Sequence, residues 1–151
     1  METKPVTDID DSLRSLVESM IETMYEAPGV GLAANQIGVF RRVAVFDAHD
    51  ELGPRVMINP EIIETEGEVE FEEGCLSVPG HYWEITRPAF ARVRALDLEG
   101  REVEYAGDEL LGRVLLHEID HLDGLLLLDA MPKRMRKKAL KELREGGLGL
   151  A

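Results

Sequence analysis

The chain has one cysteine, Cys75, in 151 residues. An internal disulfide is therefore excluded, in keeping with a reducing compartment. No apolar run approaches the roughly 18 residues that a membrane span requires. The first residues, Met1-Glu2-Thr3-Lys4-Pro5, hold neither an apolar core nor an arginine-rich amphipathic pattern. Neither a signal peptide nor a transit peptide is expected, and the expected location is cytoplasmic. Basic residues are scarce, 17 Lys and Arg against 30 Asp and Glu, for a net charge of −13. That balance argues against a surface built to bind DNA. Repeats and internal domain boundaries are also lacking. With 44% hydrophobic and 31% charged residues, the expectation is one globular domain over residues 1–151.

The few positive charges are unevenly placed. From Lys133 to the end there are seven basic and two acidic residues, a net of +5, against 10 basic and 28 acidic in residues 1–132, a net of −18. Read blandly, residues 132–151 are a solvated helix and tail that neutralise an acidic body.

What is present centres on Leu116-His117-Glu118-Ile119-Asp120-His121-Leu122-Asp123-Gly124. On an α-helix, residues four apart project from one face, so His117 and His121 can offer two imidazoles to one metal ion. Glu118 is one residue round from the first ligand and is placed to take a proton from a water on that ion. A catalytic site of this kind needs a third protein ligand and an open position.

Around that motif, apolar residues at Leu13, Leu16, Val17, Met20, Ile21 and Met24 predict a helix over 8–26, started by Thr7-Asp8-Ile9-Asp10 and ended by Pro28-Gly29. Gly29-Val30-Gly31-Leu32-Ala33-Ala34-Asn35-Gln36 is not a dinucleotide turn: a helix precedes it, and position 34 is Ala where a third glycine belongs. Its small residues instead suit a backbone that passes close to something, with Gln36 presenting an amide from the wall. Strands are predicted at 41–47, 55–63, from 69, at 91–98 and at 102–105, with turns at 49–54, 66–68 and 97–100. His49 is expected to be an exposed turn residue and His81 to lie in a loop after Pro79-Gly80. Asp108 is expected to cap the helix that carries the two histidines, and a last helix is expected from Met131 to Glu145. One helix, a run of strands, then two helices predicts an α+β fold, with antiparallel sheets wrapped around the metal-binding helix. Cys75, in Glu73-Gly74-Cys75-Leu76-Ser77, is either a small buried hydrophobe or the missing thiolate ligand.

Three separated segments, Gly29 to Gln36, Glu73 to Ser77 and His117 to His121, resemble the three signature motifs of peptide deformylases, in the same order. The resemblance runs from about Lys4 to Gly146. It implies an enzyme that removes the formyl group from the N-terminal formyl-methionine of nascent polypeptides. It further implies one divalent ion, natively often Fe²⁺ and replaceable by Ni²⁺, Co²⁺ or Zn²⁺, held by Cys75, His117 and His121. Glu118 would be the general base, and the Gln36 side chain and the Leu76 backbone N–H the oxyanion donors. Val30, Phe71, Leu110 and Val114 would line a methionine pocket, with Gly31 admitting the substrate backbone. Arg87 is expected to pair with Asp120 as a brace behind the ligands. The basic helix from Lys133 to Arg144 implies contact with ribosomal RNA phosphates.

The chain departs from the family pattern in two places. It begins after a stretch of about twenty residues that family members usually carry, so a misassigned start or a less stable protein is expected. Leu116 stands where Gln is common. Two other readings compete. A zinc endopeptidase of the extended motif needs a third His at position 127, which is Leu, and Glu142 and Glu145 suit a solvent face better than a ligand role. A structural metal site would need a fourth ligand, for which only His81 offers itself.

Overall fold

The structure is a computed structural model that describes residues 2–26, 29–75, 78–125 and Lys137, the side chains of 71–85 excepted. Helix α1 spans Asp11–Glu26, and strand β1 Gly31–Ala33 runs into a 3-10 turn at Ala34–Ile37. Then come β2 (Val43–Phe46), β3 (Arg55–Glu66), β4 (Val69–Cys75), β5 (Val78–Arg87), β6 (Phe90–Leu96) and β7 (Glu102–Asp108). Helix α2, Glu109–Leu122, follows β7 directly. Of the expected helix over 131–145, only Lys137 is among the described residues, and it is helical.

The strands form a five-stranded antiparallel sheet in the order β1-β2-β3-β6-β7, and β4 with β5 forms a separate hairpin. Helices α1 and α2 take opposite faces of the larger sheet, as the strand period of two dictates. Val43, Val45, Val56 and Ile58 join Leu13, Val17, Met20 and Met24 of α1 in one core cluster. Their neighbours Ala44, Phe46 and Met57 join Val114, Leu115, Ile119 and Leu122 of α2 in the other. β2 is buried at all four positions for this reason. The α+β expectation holds, with α2 packed between the sheet and the base of the hairpin, where Arg87 of β5 pairs with Asp120 at 2.6 Å.

Several local expectations change. α1 begins at Asp11 rather than at residue 8, because Asp10 takes the cap: its Oδ1 accepts the Leu13 N–H at 2.9 Å. His81 is in strand β5, not a loop, because the hairpin continues through it to Val78. Asp108 does stand at the N-cap of α2, but its side chain makes no capping bond. The turn at 97–100 is as expected, with Asp97 Oδ1 accepting the Glu99 and Arg101 N–H groups. The exposed turn position of His49 also holds.

The C-terminal end of α2 is the part of the fold that most concerns the site. Gly124 (φ 79°) closes the helix, donating to the His121 carbonyl at 2.9 Å while Leu125 donates to Asp120 at 2.8 Å. The N-terminal segment reaches the same end. Thr3 donates to the Leu122 carbonyl through both its backbone N–H, at 2.9 Å, and its hydroxyl, at 2.8 Å. No helix among the described residues is long and apolar enough to cross a membrane.

Candidate metal centre

Helical spacing brings His117 and His121 together, and their Nε2 atoms stand 3.1 Å apart. Two metal–nitrogen bonds of about 2.05 Å spanning 3.1 Å would enclose roughly 100°, close to tetrahedral. The pair therefore fits a single transition-metal ion. His121 is 5% exposed and Glu118 3% exposed, so one imidazole and the carboxylate are withdrawn from bulk water. Asp120, between them in sequence, pairs with the buried Arg87 at 2.6 Å.

The glycine-rich segment supplies the facing wall. A side-chain carbon on Gly31 would lie 2.5 Å from Oε2 of Glu118 and 2.9 Å from its Cδ and Cγ. The close approach expected of this backbone is thus made to Glu118. Gln36 leaves the 3-10 turn with its carboxamide oriented: Oε1 accepts the Ala33 N–H at 2.9 Å. An amide fixed through its oxygen presents its NH₂ end elsewhere, as a donor. Asn35, beside it, donates from Nδ2 to the His121 carbonyl.

Cys75 is the last residue of β4, paired with Val78 after an irregularity in register. Its side chain, that of Phe71, and the whole of Leu76 lie outside the described residues. Among the described residues no three His, Cys, Asp or Glu side chains gather into a metal site. Of the expected pocket residues, Val30 and Leu110 pack against the cluster that contains Val114. Leu110 also lines a cavity of about 400 Å³ with Val69, Ala89, Asp108, Glu109 and Arg113. Sequence reasoning missed Asn35 and Thr3. Neither has a spacing signal, since each acts on a carbonyl far along the chain.

A helix with two converging imidazoles and a buried carboxylate, beside a 3-10 turn that orients a carboxamide, is the frame of a metal-dependent hydrolase. The family model of polypeptide deformylase matches residues 1–137. The peptide deformylase of Alkalilimnicola ehrlichii is 47% identical over 148 residues, covering 94% of this chain and 83% of its own. That of Caldanaerobacter subterraneus subsp. tengcongensis is 47% identical over 142 residues, covering 94% and 88%. The crystal structure of a peptide deformylase from Legionella pneumophila superposes with a TM-score of 0.89 at 45% identity, over 97% of this chain and 88% of that one. One from Thermus thermophilus gives 0.88 at 42% identity, over 95% and 86%. The chain belongs to the polypeptide deformylase family. Its activity is that of the family: metal-dependent hydrolysis of the formyl group from N-terminal formyl-methionine, releasing formate.

Proposed function

We propose that Cys75, His117 and His121 hold the metal, that Glu118 moves the protons, and that Gln36 and the Leu76 N–H stabilise the oxyanion. The observation that carries this reading is the 3.1 Å approach of the two Nε2 atoms, one residue from a carboxylate buried against Gly31. A thiolate with two imidazoles suits Fe²⁺, the metal we propose as native, and also Zn²⁺, Ni²⁺ or Co²⁺. When bound, the ion supplies Lewis acidity, lowering the pKa of a water and polarising the formyl oxygen.

The chain's own groups do the rest. Glu118 accepts a proton from the attacking water on a carboxylate oxygen, and returns it to the departing amine. The Gln36 amide, held through its oxygen by Ala33, donates to the oxygen that gains charge at the formyl carbon. Such a donor is worth more in the transition state than in the ground state, because it is aimed before charge develops. Val30, Phe71, Leu110 and Val114 form the apolar wall for the methionine side chain, and Gly31 keeps that wall low beside Glu118. Arg87, by fixing Asp120, keeps the ligand-bearing turn of α2 in register.

The basic segment from Lys133 to Arg144 is proposed to meet ribosomal RNA phosphates, so that the enzyme works on polypeptides as they emerge. Binding of this kind weakens steeply with salt. Affinity for ribosomes that is unchanged between low and high salt contradicts this part of the reading.

X-ray absorption of the Ni²⁺-loaded protein tests the ligand set. We expect one sulfur scatterer beside the nitrogen and oxygen ones, with the sulfur lost in Cys75→Ser. A shell without sulfur in the parent protein overturns the assignment of Cys75.

A further inference from the structure

We infer that Asn35 is a positioning residue that fixes the oxyanion amide relative to the metal-ligand turn, an inference that rests on the role proposed for Gln36. Carbonyls in the last turn of a helix have no donor within the helix. At His121 that carbonyl is met from two sides: by the Gly124 N–H at 2.9 Å, which any glycine-closed helix provides, and by the Asn35 Nδ2. The second contact crosses 86 residues of chain and joins two parts of the site. Asn35 stands immediately before Gln36 in the same 3-10 turn, and its partner is the main chain of a proposed ligand.

The geometry makes a closed linkage. Gln36 is tied to Ala33 through Oε1, Ala33 begins the turn that holds Asn35, and Asn35 is tied to His121. Ala33 and Ala34 are fully buried, so the turn sits against the core and cannot slide independently of its neighbours. The Asn35 amide therefore ties the turn that carries the donor end of Gln36 to the main chain of His121. Without it the turn and the helix end keep their other bonds, and the fold persists. What loosens is the placement of donor against ligand, and displacements of about 1 Å at such a distance cost up to about a hundredfold in rate.

A double-mutant cycle and a metal-release measurement separate this from a general contribution to stability. Asn35→Asp keeps the size of the side chain and removes the donor, and Asn35→Ala removes both. In either variant kcat on a formyl-methionyl peptide is expected to fall about tenfold with KM nearly unchanged. In a Gln36→Ala background the same substitution is expected to cost nothing further. Release of Co²⁺ to a chelator, followed by its visible absorption, is expected to quicken several-fold in the Asn35 variants and not in Gln36→Ala. Full additivity in kcat overturns the inference, as does Co²⁺ release at the parent rate. If the parent protein releases no formate, the reading of Gln36 fails, while the Co²⁺ measurement still decides whether Asn35 braces the ligand turn.

Discussion

The carboxylate of Glu118 occupies the space that any side chain at position 31 would need: a Cβ on Gly31 would stand 2.5 Å from Oε2. Real carbon atoms do not approach oxygen so closely, and Glu118 is buried, so it has little room to yield. Gly31→Ala is expected to turn the carboxylate away, lowering kcat about 10- to 100-fold while bound metal stays at one ion per chain. The overpacking is expected to cost about 1–3 kcal/mol in urea unfolding. Parent-level kcat in this variant contradicts the placement of Glu118 against the strand.

The Arg87–Asp120 pair bears on both stability and metal. Arg87 is 7% exposed and the Asp120 side chain 27%, so the pair is largely shielded from solvent. Removing one partner leaves the other charge poorly solvated, which costs about 3 kcal/mol. Asp120→Asn should therefore lower the urea midpoint and quicken metal loss to a chelator. Arg87→Met should do less harm to the fold than Asp120→Asn does, because it removes the more buried charge altogether. Unchanged metal retention in both variants counts against the brace.

Much of this is legible in the sequence, and the reasons differ by element. α2 carries its signal in a single turn, because histidines four apart need only helical periodicity to converge. The buried run of β2 announces a strand covered on both sides, and α1 and α2 supply those covers. The start of α1 is ambiguous in sequence because Thr7 and Asp10 are both capping residues, and only the fold shows that Asp10 takes the Leu13 N–H. Pro79-Gly80 signals a loop at His81, yet β5 pairing extends past both. Gly31 is legible as a close approach, but its neighbour is not, since nothing local links position 31 to 118. Asn35 and Thr3 are silent for the same reason: they cap carbonyls of a helix that forms some 85 to 120 residues later.

Thr3 gives the N-terminal segment a measurable role. Its hydroxyl is buried and bonded to Leu122 at 2.8 Å, while its backbone N–H bonds the same carbonyl. Thr3→Val keeps shape and the N–H but buries an apolar group in place of the donor. A loss of about 1 kcal/mol is expected in urea unfolding. A change within error would show that the hydroxyl adds nothing to the backbone bond at Leu122.

Just past β2, the Tyr25 hydroxyl donates to Asp47 Oδ2 at 2.5 Å. That bond holds the Asp47 carboxyl below its ordinary range, against the opposing effect of burial and with help from the His49 N–H. A depressed folded-state value means stability that is present above the unfolded-state pKa and is lost as pH falls through the folded one. Tyr25→Phe should raise the Asp47 titration midpoint, read by carboxyl-carbon NMR, and flatten this part of the acid limb. An unmoved midpoint would assign the shift to the His49 N–H and the charges of His49 and Arg55.

The role of Glu118 is the centre of the account, and formate release reads it most directly. Protein purified without oxygen, loaded with Fe²⁺ or Ni²⁺ and mixed with a formyl-methionyl peptide should release formate in step with free amine. Glu118→Ala, carrying the same metal, should lose at least about a hundredfold of that rate. No formate from the folded, loaded parent, or an undiminished rate in Glu118→Ala, would contradict it.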